Sequence, residues 1–332
     1  MTYHIKEETL QTLQACYRDQ NNGLCWPTIF TLPQWIQTWW NTLAPKNATL
    51  SIRSVWAGEQ LLGIAPLLVE GSTARLLGTP DVCDYLDFIT VPGREDEFFG
   101  ALLPSLAEAG IERLELASQR PGAAVFRGFF ASENFERFSG EFKRENESAE
   151  IALPENWEGY LNLLSKKQRH EVRRKLRKLE NETESINYRV IGSGSKDSGA
   201  EAATFFPQFL ELFRENPEKE DFLTDKMEGY FAALVEATAT SGLARFGLLE
   251  IDGEPAAAVL YFTYGSRCYL YNSGYRSDYR ALSAGLVSKI LCIKDSIEKG
   301  IQVFDFLKGP EIYKNRLGGK TIPIYTVTIK IS

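Results

Sequence analysis

Apolar and polar positions follow the same order twice along the 332-residue chain. In VWAGEQLLGIAPLLVEGSTARLLG (Val55 to Gly78) and LEIDGEPAAAVLYFTYGSRCYLYN (Leu249 to Asn272), three strand-like runs are separated by a Gly-Glu turn and a Gly-Ser turn. That is the pattern of a three-stranded meander with short hairpin loops. The correspondence continues in SLAEAGIERLELA (Ser105 to Ala117) and DSIEKGIQVFDFLKG (Asp295 to Gly309), where a helix ends at Gly110 or Gly300 and a strand follows at once. Glycine is expected there because a helix C-cap favours a left-handed residue. Each half therefore reads as an antiparallel meander, a loop, a helix and one more strand. The sheets are expected to be mixed, since the strand after the helical crossover pairs in parallel. Chance resemblance between α/β segments is the alternative, and the shared spacing of turn, turn, helix and strand favours duplication.

Around these units the periodicity supplies further elements. FTLPQWIQTWWNTL (Phe30 to Leu43) has Trp35, Ile36, Trp39, Trp40 and Leu43 at helical spacing, the mark of an amphipathic helix whose aromatic stripe belongs to a core before a ligand box. EAATFFPQFLELFRENP and TDKMEGYFAALVEATATSG read as two more helices, the first broken or started by Pro207, and ESINYRVIG reads as a strand. The fold class expected is α/β with mixed sheets, divided into residues 1–149 and 150–332.

LSKKQRHEVRRKLRKLE (Leu164 to Glu180) carries eight Lys or Arg residues and His170. Ser165 with Gln168 forms a capping-box signature, so a basic helix is expected over residues 165–180. Val172, Leu176 and Leu179 make a narrow apolar stripe, and the basic residues fill the opposite arc. Such a run is ordinarily a solvated face. The functional alternative is that Lys166, Arg169 and Arg173 meet an anion, either cofactor phosphates or a tRNA acceptor stem. His170 reads as a surface residue, because its basic neighbours disfavour the charged form a catalytic histidine would use.

Composition narrows the classes. The net charge of -7 argues against a protein that coats nucleic acid through bulk positive charge, so any polyanion site must be local and DNA is not an expected partner. The five cysteines are scattered without a CxxC pair, which fits a reducing compartment and offers no zinc site. The first residues, MTYHIKEETLQTLQACYRDQ, lack a basic-then-apolar signal layout, and no apolar run approaches the ~18 to 20 residues needed to span a bilayer. A cytoplasmic protein without membrane insertion is expected.

YRALSAGLVSKI places Arg280, Ser283 and Gly285 on the pattern Arg/Gln-x-x-Gly-x-Gly/Ala, after a strand and before a helix. Small residues there let a backbone approach a pyrophosphate, which the free N–H groups and dipole of the helix start then bind. Strand, Arg-x-x-small-x-Gly, helix, strand and a tyrosine-bearing segment resembles the acyl-CoA core of the GNAT superfamily. The wider set WIQTWW, CDYLDFI, LSKKQRHEVRRKLRKLE, YNSGYRSDYRALSAG and FDFLKGPEIYKNRLGG resembles the CelD/FemAB-like acyltransferases, which pair two GNAT-like domains. The resemblance covers nearly the whole chain and implies tandem duplicated GNAT-like (acyl-CoA N-acyltransferase) domains. It implies transfer of an acyl group from acyl-CoA to an amine, with a polysaccharide or peptidoglycan-type acceptor in some members and no metal.

By the same resemblance, Arg280, Leu282, Ser283, Ala284 and Gly285 would hold the donor's pyrophosphate, with Ser283 standing where the pattern has glycine. Tyr313 would protonate the leaving thiolate. The first half has GTPDVCDYLDF at the equivalent loop, with no pyrophosphate pattern, and looks like a degenerate copy lining the acceptor cleft. Attack on a thioester needs a base near the amine. Asp84, Asp87, Asp305 and Glu311 lie at strand ends or loops and are its candidates, Asp305 reading equally as a buried structural residue. Asp84 and Asp87 would point to opposite faces if DYLDF is a strand. Asp84, Tyr85, Asp87, Tyr271, Tyr275, Lys308 and Lys314 are candidate acceptor contacts, and Tyr279 has the same polar and stacking character. An aminoacyl-tRNA-dependent FemAB-like transferase, with tRNA as partner, and a non-catalytic sugar-binding or assembly module remain alternatives.

Overall fold

The computed structural model describes residues 2–192, 198–215 and 222–331, and the chain divides into two compact units. Unit 1 comprises Met1–Asn146 with Pro323–Ser332, and unit 2 comprises Glu147–Ile322. The sequence division at residue 150 assigns the last ten residues to the second half. In the structure they group with unit 1, because their strand hydrogen-bonds there.

Unit 1 contains β1 (Tyr3–Glu8), α1 (Leu10–Arg18), α2 (Pro33–Leu43), β2 (Thr49–Ala57), β3 (Gln60–Glu70), β4 (Thr73–Leu76), β5 (Ile89–Thr90), α3 (Glu95–Glu108), β6 (Arg113–Gln119), α4 (Ala124–Gly128) and α5 (Asn134–Arg137). The strand β7 (Ser139–Ala152) leads out of it. Antiparallel pairing joins β1 to β2, β2 to β3 and β3 to β4, and β6 then pairs in parallel with β4. The core is aromatic. Trp35 and Trp39 of α2 are fully buried, and their indole N–H groups donate to Cys83 Sγ and to Thr79 Oγ1, each at 3.3 Å. The tryptophan stripe is thus packing, stabilising by about 1.5–3 kcal/mol per buried side chain.

Unit 2 continues with α6 (Trp157–Leu163), α7 (Lys166–Glu182), β8 (Ile186–Ile191), α8 (Ser198–Arg214), α9 (Asp225–Ala239), β9 (Ala244–Ile251), β10 (Glu254–Tyr264), β11 (Arg267–Tyr275), α10 (Ala284–Glu298), β12 (Val303–Lys308) and α11 (Ile312–Arg316), before β13 (Lys320–Lys330). Strands β8 to β11 pair antiparallel in sequence order, β12 joins β11 in parallel, and β7 closes on β12 antiparallel. The two units therefore repeat meander, helix and parallel strand. The helices α3 and α10 both stop at a left-handed glycine, Gly110 (φ 78°) and Gly300 (φ 72°).

Two local expectations change. The helix α8 runs unbroken through Pro207. Proline removes one N–H bond and crowds the preceding turn, but Phe205, Phe206, Phe209, Leu210 and Phe213 bury a continuous face across it. Asn216 and Pro217, at the end of the quoted helical segment, lie outside the described residues. In unit 1, residues 84–88 are loop, the strand beginning only at Ile89, so strand alternation does not govern Asp84 and Asp87.

Candidate functional site

In unit 2, β11 and β12 pair only over Arg267–Tyr269 and Val303–Asp305. Beyond those residues β12 bulges between Asp305 and Lys308, and Leu307 is left-handed at φ 62°. The pairing of β11 with β12 ends there. The chain leaving β11 at Tyr275 makes a single 3₁₀ turn, Ser277–Tyr279, then turns into α10 through Ser283.

Ser283 has φ 58° and ψ 36°, the left-handed conformation that glycine adopts at little cost and other residues adopt at about 1–2 kcal/mol. The serine therefore takes up the backbone geometry of the glycine it replaces. Its carbonyl accepts from the amides of Leu286 and Val287, leaving those of Ala284 and Gly285 as the first-turn donors that a helix cannot satisfy internally. Gly285 is required by packing: a β-carbon there would stand 2.6 Å from Tyr275 Cδ1. Tyr275, Tyr279 and Leu282 pack into the cluster formed with Ala284 and Val287. Arg280 is exposed at the loop.

The basic helix α7 starts where expected, at Ser165 with its reciprocal capping box to Gln168, and buries Val172 and Leu179. Its outward residues Lys166, Arg169 and Arg173 line a hollow of about 1240 Å³ together with His170 and Arg177. Arg169 donates to Asn162 Oδ1 and to the Leu164 carbonyl, and Arg173 pairs with Glu158 at 3.3 Å. The residues that reach the loop before α10 are others. Lys175 Nζ donates to Ser283 Oγ at 2.8 Å, and Lys178 Nζ donates to the Ala281 carbonyl at 2.9 Å. Treating the basic arc as one surface hid them. Lys175 lies one turn from Val172, at the border of the apolar stripe, and a lysine there faces whatever the stripe packs against.

On the other side of α10, Tyr313 of α11 packs edge-on to Phe306, with ring centroids 6.2 Å apart. Burial, reinforced by the charge of Glu311, raises its hydroxyl pKa, so it stays protonated at neutral pH. Lys289, buried in α10, donates to the Gly285 carbonyl at 2.8 Å and lies 5.2 Å from the centre of the Tyr313 ring. This residue, absent from the sequence reading, links the start of α10 to the tyrosine.

Lys314 is almost fully buried, and its ammonium donates to the carbonyls of Leu307, Lys308 and Gly309 at 2.9, 2.7 and 3.1 Å. It also pairs with Glu311 at 2.9 Å, whose side chain is 53% exposed. The lysine thus holds the bend after β12 and presents Glu311 beside Tyr313. Asp305 is 0% exposed, takes an ion pair from Arg267 at 3.1 Å, and accepts from the Leu307 amide at 2.9 Å. Tyr271 packs with Phe231 of α9 and Phe262, away from the cluster of α6, α7 and α10 that includes Tyr313. Lys308 is half-buried.

The remaining candidates belong to unit 1. Tyr85 is buried, with the Arg120 guanidinium 4.8 Å from its ring centre, and Asp84 is half-buried. Asp87 is buried, and its Oδ1 accepts from the amides of Phe88 at 2.8 Å and of Ala124, at the start of α4, at 2.9 Å. Burial raises its pKa to about 7 against those two hydrogen bonds.

Residues 166–315, from α7 to α11, match the family model of the acetyltransferase (GNAT) domain. That segment contains the loop before α10, α10 itself and Tyr313, so these parts lie within an acyltransferase-type domain. Over the whole chain the fold is similar to that of FemX, with a TM-score of 0.63 at 14% identity, covering 98% of this chain and 96% of that one. It is also similar to a conserved protein of unknown function from Bacteroides thetaiotaomicron, with a TM-score of 0.56 at 12% identity over 99% and 100% of the two chains. The C-terminal domain of a putative lysylphosphatidylglycerol synthetase from Agrobacterium fabrum gives 0.53 at 10% identity over 80% of each. No curated protein matches the sequence. Among the described residues, no group of three or more His, Cys, Asp or Glu is arranged to hold a metal ion, and no helix is long and apolar enough to cross a membrane.

Proposed function

We propose that the chain is an N-acyltransferase moving an acyl group from acyl-CoA to an amine on an amino sugar or cell-envelope polysaccharide precursor, and that it acts in the cytoplasm. The observation that carries this reading is Ser283 in the left-handed conformation at the start of α10, inside the segment that matches the GNAT model. The free first-turn amides of Ala284 and Gly285, with Arg280, bind the donor's pyrophosphate. The thioester arm lies where β11 and β12 part. Glu311 takes a proton from the acceptor ammonium, the amine adds to the thioester carbonyl, and collapse of the adduct breaks the C–S bond. Tyr313 then gives its hydroxyl proton to the departing thiolate and recovers one from the adduct nitrogen, which becomes the neutral amide. Asp305 supports this arrangement through Arg267 and the bend it pins.

CoA is expected to raise the unfolding temperature of the wild-type chain, and Arg280→Ala to abolish the shift. Tyr313→Phe should lower kcat by about 10²–10⁴-fold, the usual range for a lost proton-transfer group. Undiminished turnover by Tyr313→Phe and by Glu311→Gln would remove these roles. The basic hollow along α7 favours a second reading, an aminoacyl-tRNA-dependent transferase. Absence of any CoA shift, together with salt-sensitive tRNA binding lost in Arg169→Ala/Arg173→Ala, would establish that one instead. A chain that binds sugar but turns over no acyl donor would be the non-catalytic module.

A further inference from the structure

Three pieces of unit 2 meet at the first turn of α7. The Asn315 carbonyl in α11 accepts from Gln168 Nε2 at 2.6 Å, and Asn162, near the end of α6, accepts from Arg169 at 3.3 Å. Two aliphatic side chains flank this junction and are turned to solvent. Leu163, the last residue of α6, is 59% exposed, and Ile312, the first of α11, is 67% exposed. An exposed aliphatic residue on its own is ordinary. The large aliphatic residues exposed among the described ones are Leu163, Ile186 and Ile312, so two of the three stand here, against the basic helix.

The charge around them is continuous. Ile312 and Arg316 are one turn apart on α11 and share a face, and Arg316 lines the same hollow as Lys167 and His170 of α7. From there positive charge runs along α7 through Lys166, Arg169, Arg173 and Arg177. The nearby carboxylates are paired: Glu171 accepts twice from Arg174 at 2.8 Å, Glu158 pairs with Arg173 at 3.3 Å, and Glu311 pairs with Lys314 at 2.9 Å. Glu180 stands at the far end of the arc.

We propose that this face docks the protein peripherally on an anionic lipid bilayer, with the basic arc over the acidic headgroups and Leu163 and Ile312 entering the boundary between headgroups and acyl chains. Such a surface uses both halves of the face. A basic cluster is drawn to anionic lipid within a Debye length, and an apolar contact adds the second signal that makes peripheral attachment stable. With a net charge of -7, the rest of the protein is repelled by the same lipid, so the basic face sets the orientation. RNA would use the charge and leave the aliphatic pair idle, because its bases stack on aromatic rings. The exposed aromatic side chains among the described residues, Tyr3, Phe135 and Phe142, all belong to unit 1. The inference goes beyond the acyl-transfer reading and stands without it.

The test is co-sedimentation of the full chain with vesicles of phosphatidylcholine, alone or mixed with phosphatidylglycerol, across a salt series. Binding is expected to the mixed vesicles only and to weaken as salt rises. Lys166→Gln/Lys167→Gln/Arg177→Gln should weaken it by about 100-fold, at ~fivefold for each basic residue lost. Leu163→Gln/Ile312→Gln, which keeps every charge, should weaken it by about 25-fold, at ~fivefold for each aliphatic contact. All five side chains are exposed, so both variants should unfold in urea at the wild-type midpoint. No sedimentation with the mixed vesicles, or binding that the aliphatic variant leaves unchanged, would overturn the inference. Salt-sensitive binding of transfer RNA that the triple variant loses and the aliphatic variant keeps, without vesicle binding, would overturn it and assign the face to RNA.

Discussion

Single residues show where type and role separate. Ser283 and Gly285 both satisfy a small-residue motif, yet one supplies left-handed backbone and the other clearance for the Tyr275 ring. Neither reason is visible in spacing alone. Asp87 was legible as an acid beside a loop but not as a carboxyl sealed under α4, and its burial carries a pH dependence. Its folded pKa, about 7, lies above the value near 4 of an unfolded aspartate. Between those values the folded chain holds a proton that the unfolded chain has released. Stability from this group is therefore full below about pH 4 and is lost as pH rises through 7, by at most ~1.4 kcal/mol per pH unit. Asp87→Asn retains the accepting oxygen and removes the charge. Urea unfolding from pH 5 to 8 should show a flatter profile for the variant, which becomes the more stable protein at pH 8. A slope matching wild type would mean that Asp87 does not carry it.

At the level of elements, periodicity located α2, α7 and the meanders because each buries one face against the rest of its unit. It misjudged α8, where proline was weighed locally and the aromatic face decided the outcome. Pro207 is exposed within that helix, so Pro207→Ala should restore an N–H bond and stabilise the protein by about 1–3 kcal/mol, read as a higher urea midpoint at unchanged slope. No gain would indicate that the helix already tolerates the proline by bending. The basic helix taught a related lesson. Its outer arginines were readable from charge, whereas the two lysines that reach the loop before α10 were not, since their partners lie more than one hundred residues away.

The molecule as a whole is a repeated unit whose chain does not respect a single cut. Within unit 1, Tyr325–Lys330 of β13 pair with β6, and the Tyr325 ring lies 5.5 Å from those of Phe126 and Phe142. Ending the chain at Ile322 should strip β6 of that neighbour and open a hydrogen-bonding edge. Amide exchange at Leu114 and Leu116 is expected to accelerate, while that of β9 and β10 stays slow. Uniform loss of protection in both units would show that they unfold as one cooperative body, and unchanged exchange at β6 would show β13 to be dispensable.

From the sequence alone came the duplication, the mixed α/β character, the capped basic helix, and the strand–loop–helix junction at Arg280 to Gly285. These rest on local period, turn chemistry and capping, which act between neighbours in the chain. Tertiary structure alone decided that Ser283 adopts a glycine's conformation, that Lys175, Lys178 and Lys289 converge around the junction, that Lys314 organises the bend beside Tyr313, and that Asp305 is locked by Arg267. Each of those depends on which distant residue shares a buried space, and burial is what turns a charge or a hydroxyl into a partner.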